Sequence, residues 1–166
     1  MRLRTLIELL AALLLTFAAL LAISQMAKAN GIEIVDPYAR ATIGAAKTGV
    51  VYLKLVNRTA QADRLRAVSA DVAGHAALHV HAMNNDVATM DAIACLELAP
   101  AAEVEFAPGG LHVMLMGLSK PLREGDSFPL RLTFDRAGEI SVDIPVKSQT
   151  EGALSAHEAP ALKLCD

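Results

Sequence analysis

The chain has 166 residues, 54% of them hydrophobic and 20% charged, with no Trp and a formal net charge of −3. That is one domain's worth of sequence. The acidic balance argues against a nucleic-acid partner, and no nucleophile with a base, carboxylate pair or phosphate-binding loop stands out, so an enzyme is not expected.

Residues 1–29 have the layout of a secretory leader: Arg2 and Arg4, an apolar run from Leu9 to Ile23, then Ala27 and Ala29 ahead of Asn30. The competing reading is a retained anchor, but the run is shorter than the roughly 20 apolar residues a spanning helix needs, and Glu8 sits at its edge. No Cys lies near the small-residue site, which argues against a lipid-anchored form. Removing the leader takes away Arg2, Arg4 and Lys28 against Glu8, which moves the net charge from −3 to −5.

From Gly31 onward the sequence predicts an all-β domain spanning 30–147. Short β-rich runs alternate with turn residues, and no amphipathic stretch is long enough for a helix. The predicted strands are Ile32–Val35, Val50–Asn57, Arg64–Ala70, Ala76–Met83, Glu103–Phe106, Leu111–Met116, Pro129–Phe134 and Glu139–Val146. Turns fall at Asn57-Arg58-Thr59, Asp71-Val72-Ala73-Gly74, Pro108-Gly109-Gly110, Glu124-Gly125-Asp126 and Arg136-Ala137-Gly138. Seven or eight strands at this spacing predict a Greek-key sandwich or barrel. Asn57-Arg58-Thr59 also matches a glycosylation acceptor, but it reads as a hairpin turn. Residues 148–166 lose the alternation and read as a C-terminal tail. Cys95 and Cys165 could pair in an oxidising compartment or stand as independent thiols.

Soft metal donors concentrate between His75 and Met116, which holds four of the five histidines and four of the six methionines. In Leu111-His112-Val113-Met114-Leu115-Met116 the period of two puts Leu111, Val113 and Leu115 on one side and His112, Met114 and Met116 on the other. Leu78-His79-Val80-His81-Ala82-Met83 repeats the arrangement with His79, His81 and Met83, and Met90 follows after the turn-like Asn84-Asn85-Asp86. Two strands and a nearby loop can thus converge imidazole and thioether donors. Such a set, without thiolate or carboxylate, suits Cu(I), whereas zinc more often calls for thiolates or a carboxylate with histidines. Met116 and Met83 read first as core filler, His75 and His157 as surface groups, and His81 as a neighbour of the site. A blue-copper centre would require a Cys thiolate close to a late His and Met. Cys95 precedes His112 and Cys165 lies past the last strand, so that order is missing. A metal-free β-sandwich interaction module is the other alternative.

The spacing His79, ten residues, Met90, twenty-one residues, His112, one residue, Met114 resembles the signature of the periplasmic copper chaperones called PCu(A)C. The surrounding frame is similar as well, in Gly49–Asn57, Ala62–Leu65, Pro108–Leu118 and Pro121–Asp126. The resemblance implies a cupredoxin-like β-barrel that binds one Cu(I) through His79, Met90, His112 and Met114. It also implies a periplasmic location and delivery of copper to an acceptor, the cytochrome c oxidase copper subunit (subunit II), alongside a Sco-type thiol protein.

Overall fold

The structure is a computed structural model that describes residues 31–84, 87–149 and 164–165, with the side chains of 82–84, 87 and 88 excepted. The leader expected at 1–29 lies outside the described residues, as does His157. Every regular element described from Ile32 onward is a strand. They are β1 (Ile32–Arg40), β2 (Thr48–Asn57), β3 (Asp63–Ser69), β4 (Ala73–Asn84), β5 (Val87–Ile93), β6 (Leu96–Leu98), β7 (Glu103–Phe106), β8 (Leu111–Leu118), β9 (Ser127–Phe134) and β10 (Gly138–Lys147).

Eight of these coincide with the predicted strands, with only Ala70 left outside β3, and β5 and β6 are additional. The stretch read as a loop around Met90 is therefore a strand that pairs with β4 from Leu78 to Asn84. β1 is longer than expected because it runs through Asp36-Pro37. Asp36 takes a positive φ of 46°, and the register with β2 shifts between Val35 and Tyr38. Such a bulge lets the chain absorb a proline that would otherwise end the pairing.

The strands run in the order β5-β4-β8-β2-β1-β10-β9-β3-β6, with β7 paired to the second half of β2. β10 joins the two halves of this array, pairing in parallel with β1 at Ala39–Val146 and antiparallel with β9 along its length. The alternation that predicted the strands decides what lies inside. β9 buries Phe128, Leu130, Leu132 and Phe134, while β8 buries Leu111, Val113 and Leu115 against them in one core with Val51, Leu53, Leu55, Leu65 and Leu78.

The turn after β2 is built on Asn57, which is fully buried. Its Nδ2 has three carbonyl oxygens in reach, of Gln61 at 2.8 Å, Ala99 at 3.0 Å and Leu98 at 3.2 Å. Its Oδ1 accepts from the Thr59 backbone N–H at 3.0 Å and the Thr59 hydroxyl at 2.7 Å. An amide committed in this way is a structural post and not a glycosylation acceptor. Asn57→Ala strands several buried backbone groups at once, so it is expected to lower the unfolding free energy by about 3 kcal/mol in a urea titration.

Cys95 and Cys165 are joined in a disulfide with Cα atoms 5.5 Å apart, and Leu164 bridges to Leu96 beside it. The end of the expected tail is thus fastened to β6. Both cysteines are consumed, so neither supplies the thiolate that a blue-copper centre requires.

Candidate metal centre

The candidate centre lies on the face of β5, β4 and β8 that points away from the core. In antiparallel pairs, residues directly opposite one another share a face. His79 of β4 stands opposite His112 of β8, and Ala77 stands opposite Met114. On the other flank of β4, His81 stands opposite Met90 of β5. All four residues of the spacing pattern are therefore on one face of three neighbouring strands. His79 and His112 share a rung, Met114 is the next same-face residue on β8, and Met90 is diagonal to His79 across β4 and β5. Met83 has its backbone opposite Ala88, and its side chain is outside the description.

The two central imidazoles differ in environment. His112 is only 3% exposed, and its Nδ1 lies 3.1 Å from the Gly110 carbonyl oxygen. An Nδ1–H donating to that oxygen fixes the tautomer and leaves Nε2 with its lone pair free for a metal. Gly110 can present its carbonyl there because Gly109 takes a φ of 79° in the turn ahead of β8, a region costly for any residue with a Cβ. Burial lowers the pKa of His112 below its usual 6.5, the His81 and His79 imidazoles push the same way, and the Gly110 hydrogen bond opposes them. Both of the lowering effects favour the neutral ring, the form in which an imidazole can bind a metal.

His79 is half-buried, and its Nδ1 is buried without a hydrogen-bond partner. An orphaned buried nitrogen is costly unless something satisfies it, and a metal ion would. The ring centroids of His79 and His112 are 5.9 Å apart, and those of His81 and His112 are 5.4 Å apart. His81, expected as a neighbour of the site, thus has its ring as near to His112 as that of His79, and it is exposed. Among the described residues no three His, Cys, Asp or Glu side chains are grouped to hold a metal ion. A soft ion here would depend on thioethers, and Met90 is 46% exposed at the edge strand. Met114 also lines a pocket of about 300 Å³ with Arg40, Thr42, Ile43, Thr48 and Gln149, where Ile43 is 75% exposed. Both methionines are open to an approaching molecule.

Met116 is placed differently from the core role expected of it. It sits opposite Thr48 on one side and His75 on the other, on the face of Met114, and it does not belong to the buried cluster.

The depressed pKa of His112 sets a sign for stability. Above pH 6.5 the ring is neutral both folded and unfolded and contributes nothing. As pH falls below 6.5 the unfolded chain takes up the proton first, so stability is lost progressively toward the lower folded-state value. The metal-free protein is expected to show a falling Tm from pH 7 to pH 5, with a shallower fall in His112→Gln, measured by differential scanning calorimetry.

Residues 32–146 match the LpqE-like family, described as "Putative lipoprotein LpqE-like". A protein of Leifsonia xyli subsp. xyli that carries a lipoprotein name is 27% identical over 123 residues, covering 72% of each chain. Among solved structures, the copper-bound PCuAC domain from PmoF2 is 28% identical with a TM-score of 0.61, over 71% of this chain and 93% of that one. The Cu(I) form of DR1885 from Deinococcus radiodurans shares the fold at 24% identity and a TM-score of 0.56, over 78% of this chain and 89% of that one. The all-β array is the cupredoxin-like barrel that the family resemblance implied. The family match runs from Ile32, the first residue of β1, to Val146, the last but one of β10, and on that span the chain belongs to the LpqE-like family, of PCuAC type.

Proposed function

We propose that this protein is an exported copper carrier that holds one Cu(I) between His79, Met90, His112 and Met114 and passes it to an acceptor protein. The observation that carries the reading is the His79–His112 rung with a methionine on each flank of the same face. The free Nε2 of His112 and the orphaned Nδ1 of His79 add to it. Two neutral imidazoles and two thioethers match a soft monovalent ion. The copper-bound PCuAC domain and the Cu(I) form named above are similar proteins that carry copper.

Carrying requires binding that can be reversed. Thioethers are neutral and need no deprotonation, and exposed Met90 and half-buried Met114, which lines the pocket, can be exchanged for an acceptor's donors one at a time. His112, buried and pinned by Gly110, would be the last to let go. The acceptor proposed is the copper-bearing subunit of cytochrome c oxidase, with a Sco-type thiol protein as a co-worker, and residues 1–29 are proposed as a leader removed on export to the periplasm.

Anaerobic titration of the purified protein with Cu(I), against a chromophoric Cu(I) chelator, tests the carrier reading. One equivalent held tightly is the expected result, and no uptake would leave a metal-free interaction module. Oxidase copper loading lost in a deletion strain and restored by the gene tests the acceptor.

A further inference from the structure

The donor-bearing face does not end at the His79–His112 rung. Two rungs along the same pair of strands, His75 of β4 stands opposite Met116 of β8, and the rung between them pairs Ala77 with Met114. The construction that brings two donors together at 79 and 112 is therefore repeated at 75 and 116. Directly opposite residues have Cβ atoms about 4.5–5.5 Å apart, and an imidazole and a thioether both extend well beyond Cβ. His75 is exposed and Met116 half-buried. The next strand offers only Thr48 opposite Met116, and no carboxylate occupies this face of β4 or β8 between these rungs.

Strand alternation excludes a packing role for Met116 in the barrel interior, because Leu115 takes that side and is fully buried. Along β8 the face reads His112, Met114, Met116 at two-residue steps, so Met114 lies about 7 Å from each neighbour and the outer rungs about 14 Å apart. Ala77 opposite Met114 leaves the middle rung without a bulky side chain on β4.

We propose that His75 and Met116 form a second, weaker Cu(I) station, with Met114 shared between it and the four-donor centre, so that the face is a track along which the ion enters or leaves. The proposal rests on the reading of this face as a Cu(I) carrier. The ion moves between neutral donors with no change of oxidation state. The station is weaker because it has one imidazole and one unshared thioether, and because its imidazole is exposed to water. It also lies near the pocket lined by Met114, Thr48 and Ile43, where a partner would meet the ion.

The test is an anaerobic Cu(I) titration of the purified protein with a weak competitor, followed by NMR of histidine rings and methionine methyls. Wild type is expected to take a second equivalent about 100-fold to 1000-fold more weakly than the first, with the His75 and Met116 signals moving only in that second phase. His75→Gln and Met116→Leu should each abolish the second equivalent and leave the first within about threefold. Met116→Leu nearly conserves volume, so it keeps the fold. Saturation of wild type at one equivalent overturns the proposal, as does a second equivalent that persists in the double variant. Failure to bind the first equivalent overturns the four-donor reading beneath it.

Discussion

Replacing His112 with Gln is expected to lower Cu(I) affinity by more than about 100-fold, since loss of residues that merely orient a metal ligand already costs about 10-fold to 100-fold. His112 is the buried half of the central rung, and its Nδ1 is committed to Gly110. No other imidazole on the face combines burial with a fixed tautomer. Met114→Leu keeps the volume and removes only the thioether, so about a 10-fold loss or more should follow with little change in Tm. The pair matters because His112→Gln alters a buried position and could weaken binding through the fold. Met114→Leu removes a donor at a half-buried position outside the core cluster. Competition titrations on both variants, with Tm as the control, decide the matter, and unchanged affinity in both would sink the ligand assignment.

The second large effect concerns stability. Cys165→Ser opens a bridge that spans 70 residues of sequence. In the chain-entropy account, a loop of that length contributes about 4 kcal/mol by restricting the unfolded chain. For a domain of this size the loss corresponds to a fall in Tm of roughly 10–20 °C. A barrel with this core has enough buried surface to remain folded without the bridge, so the variant should unfold cooperatively at the lower temperature. Copper affinity is expected to stay within about threefold, because the bridge fastens β6 at one end of the strand order and the centre occupies β5, β4 and β8 at the other. Calorimetry of wild type and variant, with reductant as a second route to the same state, reads the effect. An unchanged Tm in both would show that the unfolded chain gains nothing from losing the loop constraint.

The strands that carry the centre were legible because their alternation is strong. Leu111-His112-Val113-Met114-Leu115-Met116 sorts into a buried apolar side and a donor side without reference to any other strand, and β8 follows that sorting with Leu111, Val113 and Leu115 in the core. His112 itself was not expected to be so deeply covered, since burial depends on what lies over the face. The run around Met90 gave no such signal. Val87-Ala88-Thr89-Met90-Asp91-Ala92-Ile93 follows a break-like Asn-Asn-Asp and has few large apolar groups, because an edge strand has only one neighbour. β6, at three residues, is too short for alternation to register.

His75 and Met116 show the same limit in another way. Each looked unremarkable alone, a surface histidine and a filler methionine. Only the register of β4 against β8 makes them opposite one another, and a shift by one residue would have turned one of them to the other face.

By itself the sequence determined the all-β class, the faces of the central strands and the donor types, since a period of two and side-chain chemistry are local properties. The tertiary structure decided which strands are neighbours, and through that the His79–His112 rung, the position of Met90 across from His81, the closeness of His81 to His112 and the Cys95–Cys165 pairing. Each of these depends on contacts between residues distant in the chain, which alternation within one strand cannot encode.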